Sequence, residues 1–195
     1  ARNLAAWTHE TLRFEYTKNN KYRFASDSSR YSGASFICQN LLGRKHKMMD
    51  TSTNAGGWDA SVMRDFCNGR LYDAFPTVWK SIIKQVQIPA NTGNGSIVTS
   101  KDYIYLPSHV ELSGTTISPY SGEGTQIGWM NDYSARIKTI GRDSNAYYTR
   151  SAYYSATSPS TNGKYFVTVD NDGDIPGSFA TSYNSLGICP CFSIG

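Results

Sequence analysis

The chain changes period once, near residue 87, and that change limits its possible folds more than any single motif does. Before it, FPTVWKSIIKQV sets Phe75, Val78, Trp79, Ile82, Ile83 and Val86 at the three-and-four spacing of one apolar helix face. Pro76 suits the first turn of that helix. Upstream, Val62, Met63, Phe66 and Cys67 have helical spacing and follow Asp59 and Ser61, either of which can cap a helix. After residue 87 the runs IVTSKDYIYLPS, ARIKTI, NAYYTRSAYY, KYFVTVDNDGDIPGSF and LGICPCFSIG are rich in β-branched and aromatic residues, with Gly, Ser, Asn and Pro between them. One earlier run, ASFICQNLL at 34–42, reads as a buried strand closed by Gly43. Helices that precede strands, rather than alternating with them, predict an α+β fold: two short helices, a twisted antiparallel sheet and long polar loops.

A chain of 195 residues, 39% hydrophobic and 13% aromatic, can bury one substantial core. Residues 1–33 are polar and irregular and read as an N-terminal arm or linker; residues 34–195 read as the domain. Nineteen Lys+Arg against fifteen Asp+Glu give a formal charge of +4, scattered rather than gathered into the basic stripe that nucleic acid requires, so no nucleic-acid partner is expected. No apolar run approaches the ~18 residues of a membrane span, and no membrane insertion is expected. Cys38, Cys67, Cys189 and Cys191 are too few for a disulfide framework and read as buried small hydrophobes.

Catalytic signatures are weak. His9, His46 and His109 are scattered, and neither a nucleophile elbow nor a phosphate loop is present, so no catalytic residue is expected. Glu111 and Glu123 form a carboxylate pair of the kind glycoside hydrolysis uses only in the sense that any two acids do. The basic cluster GRKHK at 43–47 reads as a solvated loop. In DNDGDIPG, Asp170, Asp172 and Asp174 alternate as in a calcium loop, but the glycine comes too early and Thr181 stands where a bidentate glutamate is needed. A hairpin turn is the simpler reading, with calcium a weak candidate cofactor and no other expected.

Residues 141–185 hold six tyrosines, eight serines and four asparagines, with one lysine, no glutamate and no tryptophan. Tyrosine offers rigid contact area with a hydroxyl, and Ser and Asn adapt their hydrogen bonds, so this is the composition of a recognition surface. The same tyrosines can instead fill a sheet. Strand alternation groups Tyr148 with Arg150 and Tyr147 with Thr149. The first pair is expected in the frame. Tyr147, Tyr153 and Tyr154, with Asn162, Tyr183 and Asn184 from neighbouring loops, are the expected ligand-binding residues.

The succession DTSTNAGGWDASVMRDFCNGRLYDAFPTVWKSIIKQV, TSKDYIYLPSHVE, YSGEGTQ, RIK, YYTRSA, VTVDNDGDI and SLGICPCFSI resembles a family of uncharacterised domains found in phage and prophage structural proteins and in surface proteins of gut bacteria. Trp58, Arg64, Arg150, Ser151, Gly173, Gly187 and Pro190 hold the family's places, while Tyr148, Thr149 and Ala152 depart from its Trp-Leu and Pro. Such domains are similar to the C-type lectin-like fold of formylglycine-generating enzymes and of retroelement-diversified variable proteins. The copper-binding cysteine pair of those enzymes is not carried over to Cys189 and Cys191, which read as core. The resemblance implies a display module: a phage-tail receptor-binding or adhesin domain on a virion or cell surface. Its expected partners are a host glycan or surface protein and other virion or tail subunits, within a homo-oligomeric assembly. The alternatives are a structural virion or pilus component whose loops mediate assembly, and an enzyme of unknown reaction.

Overall fold

The computed structural model describes residues 11–115, 122–158, 162–175 and 179–195, the side chains of 179 and 180 excepted. The architecture is α+β, with short helical segments and several small antiparallel sheets in place of one large one. Strand β1 (Phe14–Asn19) pairs with β2 (Ala34–Cys38), Tyr16 facing Phe36. Strand β14 (Cys191–Ile194) pairs with the other edge of β2 and also meets β4 (Ile83–Lys84) and β7 (Ile104–Tyr105), which completes a five-stranded sheet. The segment expected as an arm therefore supplies an edge strand, and Tyr22 beyond it lies in the core; residues 1–10 lie outside the described residues. One face of this sheet packs Ile37, Tyr105 and Cys191 into the core. The other face stacks Phe36 on Phe192, with ring centroids 5.4 Å apart, and sets Phe14 edge-on to Phe192 at 4.8 Å.

Helix α1 (Val62–Phe66) starts at Ser61, whose hydroxyl accepts from the Arg64 N–H, and Met63 and Phe66 are buried as their spacing predicts. The run continues through a wide π-type turn at Cys67–Leu71 into α2 (Tyr72–Ala74). Extra backbone at such a turn re-aims a side chain. Here Asn68 donates to the Ile104 carbonyl at 2.9 Å and accepts from the Tyr103 N–H at 2.7 Å.

The second expected helix is corrected. Helix α3 covers only Thr77–Ile82 and buries none of its residues; Val78, Trp79 and Ile82 are 68%, 43% and 40% exposed. At Ile83 the chain turns extended, pairs with β14, and continues into β5 (Val86–Asn91), which pairs with β6 (Ile97–Asp102). Ile83 and Val86 are buried, but as strand residues. A vacant edge on β14 decides the conformation of two β-branched residues that also fit a helix. The segment ARIKTI, expected as a strand, opens in helix α5 (Tyr133–Arg136), capped by Asp132. Its cations are interior: Arg136 donates to the Gly173 carbonyl at 2.8 Å, and Lys138 to that of Cys38 at 2.6 Å.

Helix α4 (His109–Ser113) follows β7. Between α5 and the tyrosine-rich strand lies a two-stranded ribbon, β8 (Thr139–Ile140) with β9 (Asp143–Ser144). Strand β10 (Tyr147–Ala152), β11 (Tyr165–Val169) and β12 (Phe179–Thr181) form the three-stranded sheet. Finally β13 (Ser185–Leu186) pairs back to β3 (His46–Lys47). All four cysteines are buried, and burial pushes the thiols of Cys67, Cys189 and Cys191 up, away from the reactive thiolate.

The acidic run is a turn. Asp170 Oδ1 accepts from the backbone N–H groups of Asp172 and Asp174, each at 2.9 Å, and Gly173 takes φ +80°. A Cβ at Gly173 would sit 2.1 Å from the Tyr133 carbonyl oxygen, so both the angle and the close approach require glycine. The backbone uses the Asp170 carboxylate, and among the described residues no group of three or more His, Cys, Asp or Glu converges as a metal site. Among them, no helix is long and apolar enough to cross a membrane.

Candidate functional site

Strand β10 is buried along its whole length. Tyr147 is the clearest correction to the expected binding residues: it is fully buried, and its hydroxyl donates to the Arg136 carbonyl at 2.9 Å. Tyr148 is buried as expected, and its hydroxyl donates to the carbonyls of Thr181 and Asn184. Alternation distinguishes two faces but cannot say whether both are covered, and here both are.

Between Tyr148, opposite Thr168, and Ala152, opposite Phe166, three residues of β10 face one of β11. The Thr149 hydroxyl fills this bulge by donating to the Val167 carbonyl at 2.9 Å. Bulges turn side chains away from the regular pleat. Arg150 is sent inward, and all five of its N–H groups find acceptors. Nε donates to the Pro89 carbonyl, Nη1 to the Leu106 carbonyl and to Glu111 Oε2 at 2.7 Å, and Nη2 to the Tyr22 hydroxyl and to the Glu123 carbonyl at 2.6 Å.

Glu111 sits in helix α4, where Ser108 and Glu111 form a reciprocal capping box. Besides Arg150 and the Ser108 N–H, it receives Lys21 Nζ at 3.0 Å and the Tyr22 hydroxyl. Burial alone would raise its pKa, but Arg150 and Lys21 outweigh burial and hold it low and ionised. Burial would likewise lower Lys21, and Glu111 reverses the sign. Glu123 is different: burial dominates and raises its pKa, even though it accepts from the Asn91 N–H at 2.8 Å and the Ser151 hydroxyl at 2.6 Å. The two carboxylates are fastened into the frame by separate donor sets. That arrangement pins β10, α4, β5 and residues 21–22 together, with Glu111 and Glu123 both buried.

Beside this centre a small cavity of ≈ 10 Å³ is lined by Asn91, His109, Glu123, Ser151, Ala152, Tyr154 and Val167. His109 has its backbone N–H on the Ser151 hydroxyl at 2.9 Å, and burial lowers its imidazole pKa to about 4, so the ring is neutral near pH 7.

The remaining candidate residues gather at one end of the three-stranded sheet. The Tyr153 N–H donates to the Tyr165 carbonyl, Tyr165 pairs with Thr181, and the Ser182 N–H donates to the Lys164 carbonyl. This places Tyr153, Tyr154, Asn162, Tyr183 and Asn184 on adjoining loops. Tyr153, Tyr154 and Asn162 are half-buried, Tyr183 is 56% exposed and Asn184 is exposed. The Asn162 side chain is occupied in clamping its own loop, accepting from the Ser155 N–H at 2.6 Å and donating to the Ser155 carbonyl at 2.9 Å. Lys47 lies over the Tyr183 ring, 5.1 Å from its centroid, and pairs with Asp50 at 2.8 Å. The expected basic loop thus has structure of its own, and His46 stacks on Phe66.

Two supports escaped the sequence reading. Asn54 donates to the carbonyls of both Tyr153 and Tyr165 at 2.8 Å, and so holds the rim from the STNAGGW stretch. Asp102 is buried and accepts from Trp58 Nε1, Arg64 Nε and the Ser100 hydroxyl, which ties the Trp58 stretch and helix α1 to β6. The stretch DTSTNAGGW carries part of the family resemblance but does not reveal what Asn54 and Trp58 meet. For Lys21 and Tyr22 the sequence carries no signal.

With this geometry in view, the model of DUF6273, a domain of unknown function, matches residues 32–195. The chain belongs to the DUF6273 family. No curated protein and no solved structure matches it. In this DUF6273 domain the matched stretch contains Glu111, Glu123, Arg150 and the whole rim, whereas Lys21 and Tyr22 come from outside it. The buried acid of the domain is therefore completed by the segment that precedes it.

Proposed function

We propose that this DUF6273 domain is a ligand-recognition module, in a C-type lectin-like arrangement, that presents Tyr153, Tyr154, Tyr183 and Asn184 to a host-surface glycan or protein as the receptor-binding or adhesin part of a phage tail or cell-surface protein. The supporting observation is the contrast between rim and frame. The rim is built of loops rich in Tyr, Ser and Asn, while the sheet beneath it is immobilised by Arg150 and Asn54. A rigid support lowers the ordering cost of binding, and exposed aromatics supply most of the contact energy. The test compares the wild-type chain with a Tyr153→Ala, Tyr154→Ala, Tyr183→Ala variant on bacterial cells and a glycan array. Binding that falls at least about tenfold in a variant that stays folded supports the reading. A wild-type chain that binds no cell and no glycan overturns it.

A second reading has its own observation. The outer face of the five-stranded sheet leaves Tyr16 50%, Trp79 43% and Trp129 39% exposed beside Phe14 and Phe36. An aromatic patch of this kind fits subunit contact, which favours a structural virion or pilus component. A homo-oligomer that dissociates on Trp79→Ser and Trp129→Ser substitution supports it; a monomer at all concentrations overturns it.

A further inference from the structure

Glu123 and His109, which the frame does not exhaust, face one cavity beside the rim. Glu123 is 4% exposed, and each carboxylate oxygen holds one internal donor, the Asn91 N–H and the Ser151 hydroxyl. An ionised carboxylate oxygen accepts two, so acceptor capacity remains on both. His109 is also 4% exposed; its Nε2 meets the Ser113 hydroxyl at 3.3 Å, while Nδ1 has no partner among the described residues. A buried ring nitrogen left unmet is costly, and such groups mark places where something else binds. The cavity, ≈ 10 Å³, has room for about one water-sized group. Tyr154, half-buried, stands at its wall and belongs also to the rim.

We propose that the cavity between His109, Glu123, Ser151 and Tyr154 is a subsite for one hydroxyl of a neutral sugar, whose ring lies against Tyr154. This rests on the recognition reading above and names the chemistry of its ligand. A hydroxyl both donates and accepts, so it satisfies Glu123 and also His109 Nδ1 in either tautomer. An ammonium group only donates, and it needs an ionised carboxylate. Arg150 and Arg136, whose charges already act on Glu123 and His109 respectively, disfavour a further cation beside them. Tyr154 gives the apolar face of a sugar ring a flat surface.

The test is an NMR titration of the full chain with the methyl glycosides of glucose, galactose, mannose and N-acetylglucosamine, each to about 50 mM because a single anchored hydroxyl gives millimolar affinity. Methylammonium chloride serves as the competing probe. The expected result is saturable shifts at the His109 ring and the Ser151 amide with at least one glycoside. Glu123→Gln, which keeps the shape but turns an acceptor into a donor, should weaken them about tenfold. Ala152→Val, which fills the cavity wall, should abolish them, with the amide spectrum confirming the fold of both variants. Absence of shifts with every glycoside overturns the proposal, as do cavity shifts with methylammonium alone. Shifts confined to Tyr153 and Tyr183 overturn the subsite yet leave the recognition reading standing. Saturable cavity shifts in a chain that binds neither cells nor array support the subsite and remove the larger reading.

Discussion

Strand β10 and helix α3 are each six residues long, and their burial is the reverse of what hydropathy suggests. YYTRSA contains an arginine and three hydroxyl groups from Tyr and Thr, yet every residue is buried; TVWKSI contains Val, Trp and Ile, yet none is. The difference lies in partners. In β10 each polar group meets an acceptor or donor that the fold has already placed: Arg150 has Glu111 and carbonyls, Thr149 has Val167, and Tyr147 has Arg136. Burial of polar groups is tolerated once they are paired. Helix α3 needs no such pairing, and it lies at the edge of the five-stranded sheet, where Trp79 touches Phe192 edge-on at 5.9 Å and nothing described packs over it.

The sharpest way to break this contrast is Arg150→Met. It leaves Glu111 charged and buried with fewer partners, and a broken buried pair costs roughly 3–5 kcal/mol. Urea denaturation measures it; a loss under about 1 kcal/mol would mean that β10 is not pinned through its arginine.

Acid should act next. The pKa of His109 is lowered by burial to about 4, from 6.5 when unfolded, so the unfolded chain binds its proton first. The stability this contributes is present above pH 6.5 and is lost as pH falls toward 4. The loss is on the order of 2–3 kcal/mol. Glu111, whose pKa is lowered, adds its own loss only below the ordinary carboxylate range, whereas Glu123, raised, contributes in the opposite sense as pH rises. His109→Gln should flatten the melting temperature between pH 6.5 and 4; an unchanged slope would place the acid sensitivity elsewhere.

Trp79→Ala should cost less, about 1–2 kcal/mol, well below the roughly 3–5 kcal/mol of a core tryptophan. A loss in the core range would show that α3 is covered in solution, and would favour the assembly reading of the aromatic face.

The sequence alone determined the class of this fold and several of its local elements. Helix α1, its Ser61 cap and its Met63 and Phe66 core contacts follow from local spacing, as do β2, β11 and the Asp170–Gly173 turn, where one glycine and one carboxylate serve the backbone within five residues. It also identified the tyrosine-rich region and grouped Tyr148 with Arg150. Tertiary structure decided the rest. A period of two separates the faces of β10 but does not report what covers each, so Tyr147 went inward while Tyr183 stayed out. The edge of β14 claimed Ile83 from a helix that its spacing also allowed. The buried acid at Glu111 gathers Lys21, Tyr22, Ser108 and Arg150 from separations of 3 to 90 residues in the chain. Local pattern reports neighbours a turn or a strand pair away; a charge centre is closed by contacts that exist only once the chain has folded.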